Sequence, residues 1–312
     1  MTSGFEQESK QDKHYQFTVF TPTYNRAYTL DRVYESLKAQ TFTNFEWLII
    51  DDGSTDNTHD LVQQWQQEAD FPIRYIYQEN AGKHVACNRA VREAKGEFFL
   101  IFDSDNACVP ETLERFNYNW DSIPEAQKYQ FAGVTALSMD WQGRLLGSAF
   151  PLDVIDSSTF EIRHPRFLSG EKWRLIKTSV MLDFSFPEID GENFISEGIV
   201  WNRILCKYKN RYVNEKLQIV EFLKDGLTVS SVKIRAANPK GARLYYEEYL
   251  LLDYHFVYKI KNIINYIRFS IHGKLQIKLI ILESKYKFLT FLLLPFGYFF
   301  YKKDLYRIER KT

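Results

Sequence analysis

Residues 98–105 read Phe-Phe-Leu-Ile-Phe-Asp-Ser-Asp, and the fold is decided by how that octapeptide ends. Five apolar side chains in succession, three of them aromatic, suit a strand covered on both faces, as in a parallel sheet flanked by helices. The apolar run stops abruptly, so Asp103 and Asp105 leave the strand at its carboxyl end. Residues i and i+2 of an extended segment point to the same side. Two carboxylates placed in this way suit a hard divalent cation that keeps several waters and takes further oxygens from a diphosphate. Asp-x-Asp in isolation is usually a solvated turn. Its position behind a buried strand gives it chemical meaning.

Working outward from this strand, the flanking segments alternate in period. Residues 17–21 (FTVFT) form a short β-rich run that ends at Pro22. Residues 28–40 place Leu30, Val33, Tyr34 and Leu37 at helical spacing. Residues 45–50 (FEWLII) read as a second buried strand running into Asp51-Asp-Gly-Ser-Thr55, a turn before a helix capped by Ser54 or Thr55. A third strand at 73–77 and a third helix at 83–94 complete the series. Strands and helices alternating at this spacing predict an α/β fold, a mostly parallel sheet with helices on both faces. Ligands of such sheets bind outside the carboxyl ends of the strands. Residues 21–26, 51–54 and 103–105 fall there. Pro22 is expected to break its strand and expose Thr23, Tyr24 and Asn25.

After residue 121 the alternation fades. Strands are expected at 130–138, 172–183 and 217–223, with a turn at Gly143, an acidic loop over 187–193 and a helix over 197–208. A helical pattern rich in Tyr, Ile and basic residues covers 242–282. The predicted organisation is a disordered tail over 1–15, a catalytic α/β domain over 16–230 and a helical extension over 231–312.

Composition narrows the partners. The 40 Lys and Arg balance the 40 Asp and Glu, so the whole molecule is not an electrostatic nucleic-acid binder. The balance conceals an asymmetry. From Phe256 to Thr312 there are twelve basic and three acidic residues. Residues 288–301 (FLTFLLLPFGYFFY) lie among them, flanked by Lys285, Lys287, Lys302 and Lys303. That run is too short for the roughly 20 residues of a membrane-spanning helix. It suits either a terminal hairpin packed on the main domain or an interfacial anchor on an anionic membrane face. Three cysteines without metal-ligand spacing, and a polar amino terminus unlike a signal peptide, fit a cytoplasmic protein.

The motifs converge on a known pattern. Thr21-Pro-Thr-Tyr-Asn-Arg26, Ile49-Ile-Asp-Asp-Gly-Ser-Thr-Asp56, Asn80-Ala-Gly-Lys83 with Asn88, Ala94-Lys-Gly-Glu97 and Phe102-Asp-Ser-Asp105 stand in one order over about 90 residues. In that order and spacing the chain resembles glycosyltransferase family 2, the inverting nucleotide-sugar enzymes of the GT-A fold. The resemblance implies that Thr21, Tyr24 and Asp52 contact the uridine part of a UDP-sugar donor, with Pro22, Arg26 and Ser104 in the same wall. Asp103 and Asp105 would hold manganese or magnesium and the ribose-diphosphate, and Lys83 would approach the diphosphate. Ser196-Glu197 followed by Trp201-Asn-Arg203 resembles the family's Glu-Asp block with Glu in place of Asp. Glu197 is therefore the expected base, with Asp190 and Glu192 in reserve. The implied acceptor is a growing surface glycan, such as an oligosaccharide on a polyprenyl diphosphate lipid, met at the inner face of the plasma membrane.

Other readings are weaker. A nucleotidyltransferase would need a Gly- and Lys/Arg-rich loop after the first strand, where Pro-Thr-Tyr-Asn-Arg stands instead. A dehydrogenase of the Rossmann type would need Gly-x-Gly-x-x-Gly there. A catalytically silent donor-binding scaffold would not require the retained carboxylates.

Overall fold

The structure is a computed structural model that describes residues 14–158, 169–223, 231–252 and 256–310. The expected tail over 1–15 falls almost wholly outside the described residues. In chain order the first half runs β1 (Tyr15–Thr23), α1 (Ala27–Lys38), β2 (Phe45–Asp51), α2 (Thr58–Glu68), β3 (Ile73–Tyr77), α3 (Lys83–Glu93), β4 (Gly96–Ile101), β5 (Ala107–Cys108) and α4 (Thr112–Asp121). It continues with β6 (Phe131–Met139), β7 (Val154–Ser157), β8 (Lys172–Lys177), α5 (Thr178–Asp183), α6 (Gly198–Lys207) and β9 (Lys209–Ile219). Five helices follow: α7 (Ser231–Ala237), α8 (Pro239–Tyr249), α9 (Phe256–His272), α10 (Ile277–Glu283) and α11 (Lys287–Glu309).

The described strands form one sheet in the order β3-β2-β1-β4-β8-β6-β9-β5, with β7 added to β9. β3, β2, β1 and β4 are mutually parallel, and β8 joins β4 antiparallel. Alternation decides which face each strand residue serves. Phe17, Val19, Trp47, Ile49, Phe98 and Leu100 pack against Leu30 and Val33 of α1 and Val62 and Trp65 of α2. Their neighbours Phe20, Leu48, Ile50 and Phe99 pack on the opposite face with Ala86 and Ala90 of α3 and Ile199 and Ile204 of α6. Both faces are thus dry. Each such side chain contributes about 1.5–3 kcal/mol on burial.

Several expectations need correction. β1 does not break at Pro22: it continues to Thr23, in register with Ile50 and Asp51 of β2. Backbone groups of successive strand residues face opposite neighbours. The Phe20 carbonyl accepts from Phe102 N–H on the β4 side, and the Thr23 carbonyl accepts from Asp52 N–H on the β2 side. The N–H that Pro22 lacks would point to the β4 side, where β4 has already ended at Ile101. Thr23 is consequently buried, whereas Tyr24 is 49% exposed. The second helix begins at Thr58 with Asn57 before it, so neither Ser54 nor Thr55 caps it. The expected strand over 172–183 divides into β8 and the helical turn α5. Likewise β9 starts at Lys209, ahead of the expected 217, and stops at Ile219.

The carboxyl-terminal helices have their own apolar centre. Ile263, Tyr266, Ile267 and Phe269 of α9 are buried with Tyr246 of α8 and Ile280 of α10. Residues 288–301 form no hairpin but part of α11, a single 23-residue helix that contains Pro295. Thr290, Gly297 and Asp304 lie on its buried face, and Phe288, Phe291, Phe296 and Phe299 on its exposed side. No described helix is long and apolar enough to cross a membrane.

Candidate active site

The carboxyl ends of β1, β2 and β4 open into a cleft of about 800 Å³. Two loops at its mouth are stitched together. Asn25, with φ of 51°, accepts from Thr55 N–H through Oδ1 at 2.7 Å, and its own N–H donates to Ser54 Oγ at 2.8 Å. Asp51 is buried and accepts from Ser54 N–H and from the Tyr75 hydroxyl. Asp52 lines the cleft and organises residues 78–82: its carboxylate accepts from Gln78 Nε2 at 2.7 Å, Ala81 N–H at 3.0 Å and Gly82 N–H at 2.8 Å. Gly82 has φ of 96°, and a Cβ there would lie 2.1 Å from the Asn193 carbonyl oxygen. Only glycine allows the start of α3 and the 189–193 segment to approach so closely.

Lys83, the first residue of α3, occupies the centre of the arrangement. Its ammonium lies 2.5 Å from Asp103 Oδ1 and 2.7 Å from Glu197 Oε1. One side chain therefore joins the end of β4 to the start of α6. Burial alone would lower the Lys83 pKa, but the charges of Asp103 and Glu197 outweigh it and raise the value. Glu197 shows the reciprocal effect. Burial pushes its carboxyl up, yet Lys83 and the Trp201 indole hold it below the usual range. The Trp201 Nε1–H donates to Glu197 Oε2 at 3.2 Å. Asp105 lies in the same cleft, its pKa raised by burial and then by the Asp103 charge. Its backbone carbonyl accepts from Arg32 NH1 at 3.2 Å, and the same nitrogen reaches Glu221 at 2.8 Å.

Of the residues singled out in the sequence, Pro22, Tyr24, Arg26, Asp52, Lys83, Asp103, Ser104, Asp105 and Glu197 line this cleft together. Thr21 does not. It is fully buried, and its hydroxyl accepts from Trp47 Nε1 at 2.9 Å, while Thr23 lines the cleft instead. The reserve carboxylates lie elsewhere. Asp190 and Glu192 border a neighbouring hollow, and Glu192 accepts from the N–H groups of Lys240 and Gly241, both at 2.6 Å, at the start of α8. Its carboxylate satisfies a helix N-terminus. Asn88 braces the loop before α6, accepting from Phe186 N–H and donating to the Phe186 carbonyl and Glu188. Glu171, Lys172, Arg174, Glu221 and Arg235 line the cleft without having been singled out. The one available signal was Glu-Lys-Trp-Arg over 171–174, charges crowded into a strand that an ordinary core would not accept.

Among groups suited to a cation, Asp103 and Asp105 are the pair. No cluster of three or more His, Cys, Asp or Glu ligands occurs among the described residues. A two-carboxylate donor set fits a magnesium- or manganese-type ion completed by water and phosphate oxygens rather than a closed structural site.

Residues 18–127 match the family described as glycosyl transferase family 2. The chain carries a family 2 glycosyl transferase domain. Among its relatives, an uncharacterized glycosyltransferase of Nostoc is 39% identical over 98 residues, which cover 31% of this chain and 30% of that one. The Campylobacter jejuni GalNAc(5)-diNAcBac-PP-undecaprenol beta-1,3-glucosyltransferase is 26% identical over 223 residues, covering 69% of this chain and 68% of that one. This chain thus spans under a third of the Nostoc relative's length and about two thirds of the Campylobacter relative's. Among solved structures, Staphylococcus aureus TarS 1-349 in complex with UDP-GlcNAc superposes with a TM-score of 0.59 at 21% identity, covering 86% of this chain and 76% of that one. At that identity the likeness concerns the fold: the family 2 domain has the GT-A architecture, with a helical carboxyl-terminal region.

Proposed function

We propose that the protein is an inverting glycosyltransferase that moves a sugar from a UDP-sugar onto a glycan acceptor in the synthesis of cell-surface polysaccharide. The observation that carries this reading is the Lys83 bridge between Asp103 and Glu197, which sets a phosphate-seeking cation between a metal-suited carboxylate and a general base. Tyr24 and Asp52 form the nucleotide end of the cleft, together with Pro22, Arg26 and Ser104. Asp103 and Asp105 would hold manganese or magnesium, which neutralises charge on a leaving diphosphate. Lys83 donates to the diphosphate as well, exchanging Asp103 and Glu197 for phosphate oxygens. Glu197, released from that pairing, takes the proton from the acceptor hydroxyl as its oxygen attacks the anomeric carbon and the bond to the diphosphate breaks. A single displacement inverts the configuration without an enzyme nucleophile. The relatives support a nucleotide-sugar donor, because TarS is solved with UDP-GlcNAc. They support a lipid-linked acceptor, because the Campylobacter enzyme is named for one.

In this reading residues 16–230 are the catalytic unit and 231–312 a helical extension that rests on the inner face of the plasma membrane. Phe288, Phe291, Phe296 and Phe299 supply an exposed apolar surface, and Lys285, Lys287, Lys302 and Lys303 supply charge for anionic headgroups.

The test is metal-supplemented hydrolysis of UDP-sugars. Wild type should release the free sugar slowly, and Asp105→Ala should lose at least a hundredfold of that rate while keeping its melting temperature. A wild type that binds UDP but hydrolyses none of the donors would make the protein a silent scaffold. Stabilisation by GDP compounds alone would overturn the donor assignment.

A further inference from the structure

Charged side chains that are withdrawn from water are almost always paired. Most of the large cations of this protein obey. Arg74 meets Glu46 and Glu93, Arg115 meets Glu215, Arg203 meets Glu248, and Arg211 meets Asp156. Arg174 on β8 does not. It lines the cleft, its NH1 donates to the Lys172 carbonyl at 3.2 Å, and its Nε is buried without a hydrogen-bond partner. Among the described residues it forms no ion pair, although Glu197 and Glu171 are near enough to feel its charge. Burial lowers its pKa for want of a closer anion.

Two further observations locate what is missing. Side chains two apart on a strand share a face, so Lys172 accompanies Arg174 into the cleft, where, among the described residues, its ammonium donates only to the carbonyls of Ser169 and Glu171. Arg174 also lies 5.8 Å from the ring centroid of Trp201, the residue whose indole N–H donates to Glu197. Arg174 therefore belongs with the proposed base, beside the acceptor hydroxyl, rather than with the aspartate pair that would face the diphosphate.

We propose that Arg174 and Lys172 form an anion subsite for the acceptor, taking a carboxylate or a phosphate ester carried by the sugar that receives the transfer. The subsite rests on Glu197 being the base. A guanidinium offers a planar fork of donors to either anion, and the ligand would supply the countercharge that the folded chain withholds. The acceptor is thus an acidic glycan, a uronate or a sugar phosphate, and a neutral sugar would leave Arg174 buried and unpaired.

The experiment uses the full chain saturated with UDP and manganese ion, with sugar binding followed by saturation-transfer NMR. Glucuronate, glucose 6-phosphate and methyl glucoside are compared on wild type and Arg174→Gln. At least one acidic sugar should bind wild type tenfold or more tightly than methyl glucoside, and its identity separates carboxylate from phosphate. Arg174→Gln should abolish that preference, keep UDP affinity within twofold, and melt at the same or a higher temperature because an unpaired buried charge has been removed. Equal binding of the neutral sugar, no binding of either acidic sugar, or an unchanged preference in Arg174→Gln would each overturn the subsite. A variant that instead melts several degrees lower would make Arg174 a structural cation. UDP binding is read first: its absence would sink the transferase reading and the subsite with it, whereas UDP binding without acidic-sugar preference would sink the subsite alone.

Discussion

The cleft and the carboxyl-terminal helices both bury arginines, and they treat them in opposite ways. Between α9 and α11, Asp304 is 1% exposed and accepts from Nε and NH2 of Arg268 and from His272 Nε2 at 3.1 Å. That network is closed: its carboxylate has donors on both oxygens, and no ligand is needed to complete it. In the cleft the pairing is provisional. Lys83 shares itself between Asp103 and Glu197, each still more than a third exposed, and Arg174 has no ion-pair partner among the described residues. A closed network holds helices together. An open one leaves its charges available to a substrate.

Substitutions can break this contrast. The largest expected effect is on turnover: Glu197→Gln keeps the shape and removes the proposed base, so kcat should fall about 10²- to 10⁴-fold. UDP affinity, measured by calorimetry, should change little. An unaltered kcat would remove Glu197 from the mechanism.

Asp304→Asn should act on stability, costing about 3–5 kcal/mol in denaturant titration by leaving Arg268 uncompensated. The pH sense follows from the direction of the shift. Burial alone would raise the Asp304 pKa, and the His272 and Arg268 hydrogen bonds carry it below the ordinary aspartate value of 3.8. Its stabilisation is complete above that unfolded value and disappears as pH falls through the lower folded one. Wild type should thus lose stability steeply below about pH 4, and Asp304→Asn should show a shallower loss. Parallel acid profiles would contradict the closed network.

The smallest effect expected is on membrane affinity. Replacing Lys302 and Lys303 by Gln should weaken binding to vesicles containing phosphatidylserine by about 1 kcal/mol per lysine, roughly tenfold to thirtyfold for the pair. Phe291→Ser with Phe296→Ser should weaken binding to neutral vesicles as well. Indifference to all four changes would leave the exposed face of α11 for another role.

The parts that were legible in sequence are those where one force dominates. Phe45–Asp51 is buried throughout, so its composition alone announces a central strand. The place of Asp103 and Asp105 is legible because the apolar run stops just before them, but the extended segment expected there is a turn, in which Asn106 N–H donates to the Asp103 carbonyl at 3.1 Å. β9 was half hidden because Asn210 and Arg211 are buried in it, Asn210 against Thr135 and Arg211 against Asp156. Such polar burial is satisfied by partners 55 and 75 residues away in the chain, which no local pattern reveals. Thr-Ser-Val-Met-Leu-Asp over 178–183 reads as more strand because it is apolar, yet Val180 and Met181 reach the same core from a helical turn. Arg174 was only half legible: the charges crowded into Glu-Lys-Trp-Arg mark the segment, but the lack of an ion pair among the described residues is a property of the assembled cleft.

The unequal lengths of β1 and β4 carry a consequence for engineering. Because β1 runs past the last residue of β4, the sheet is stepped at this edge, where Pro22 and the aspartate turn both line the cleft. The cleft thus opens where the ladder between two neighbours lacks its last rungs, a difference of a few residues. Grafting two more β-branched residues onto β4 before Asp103 should carry that aspartate away from Lys83, so the length of one strand sets the charge pairing at the lip.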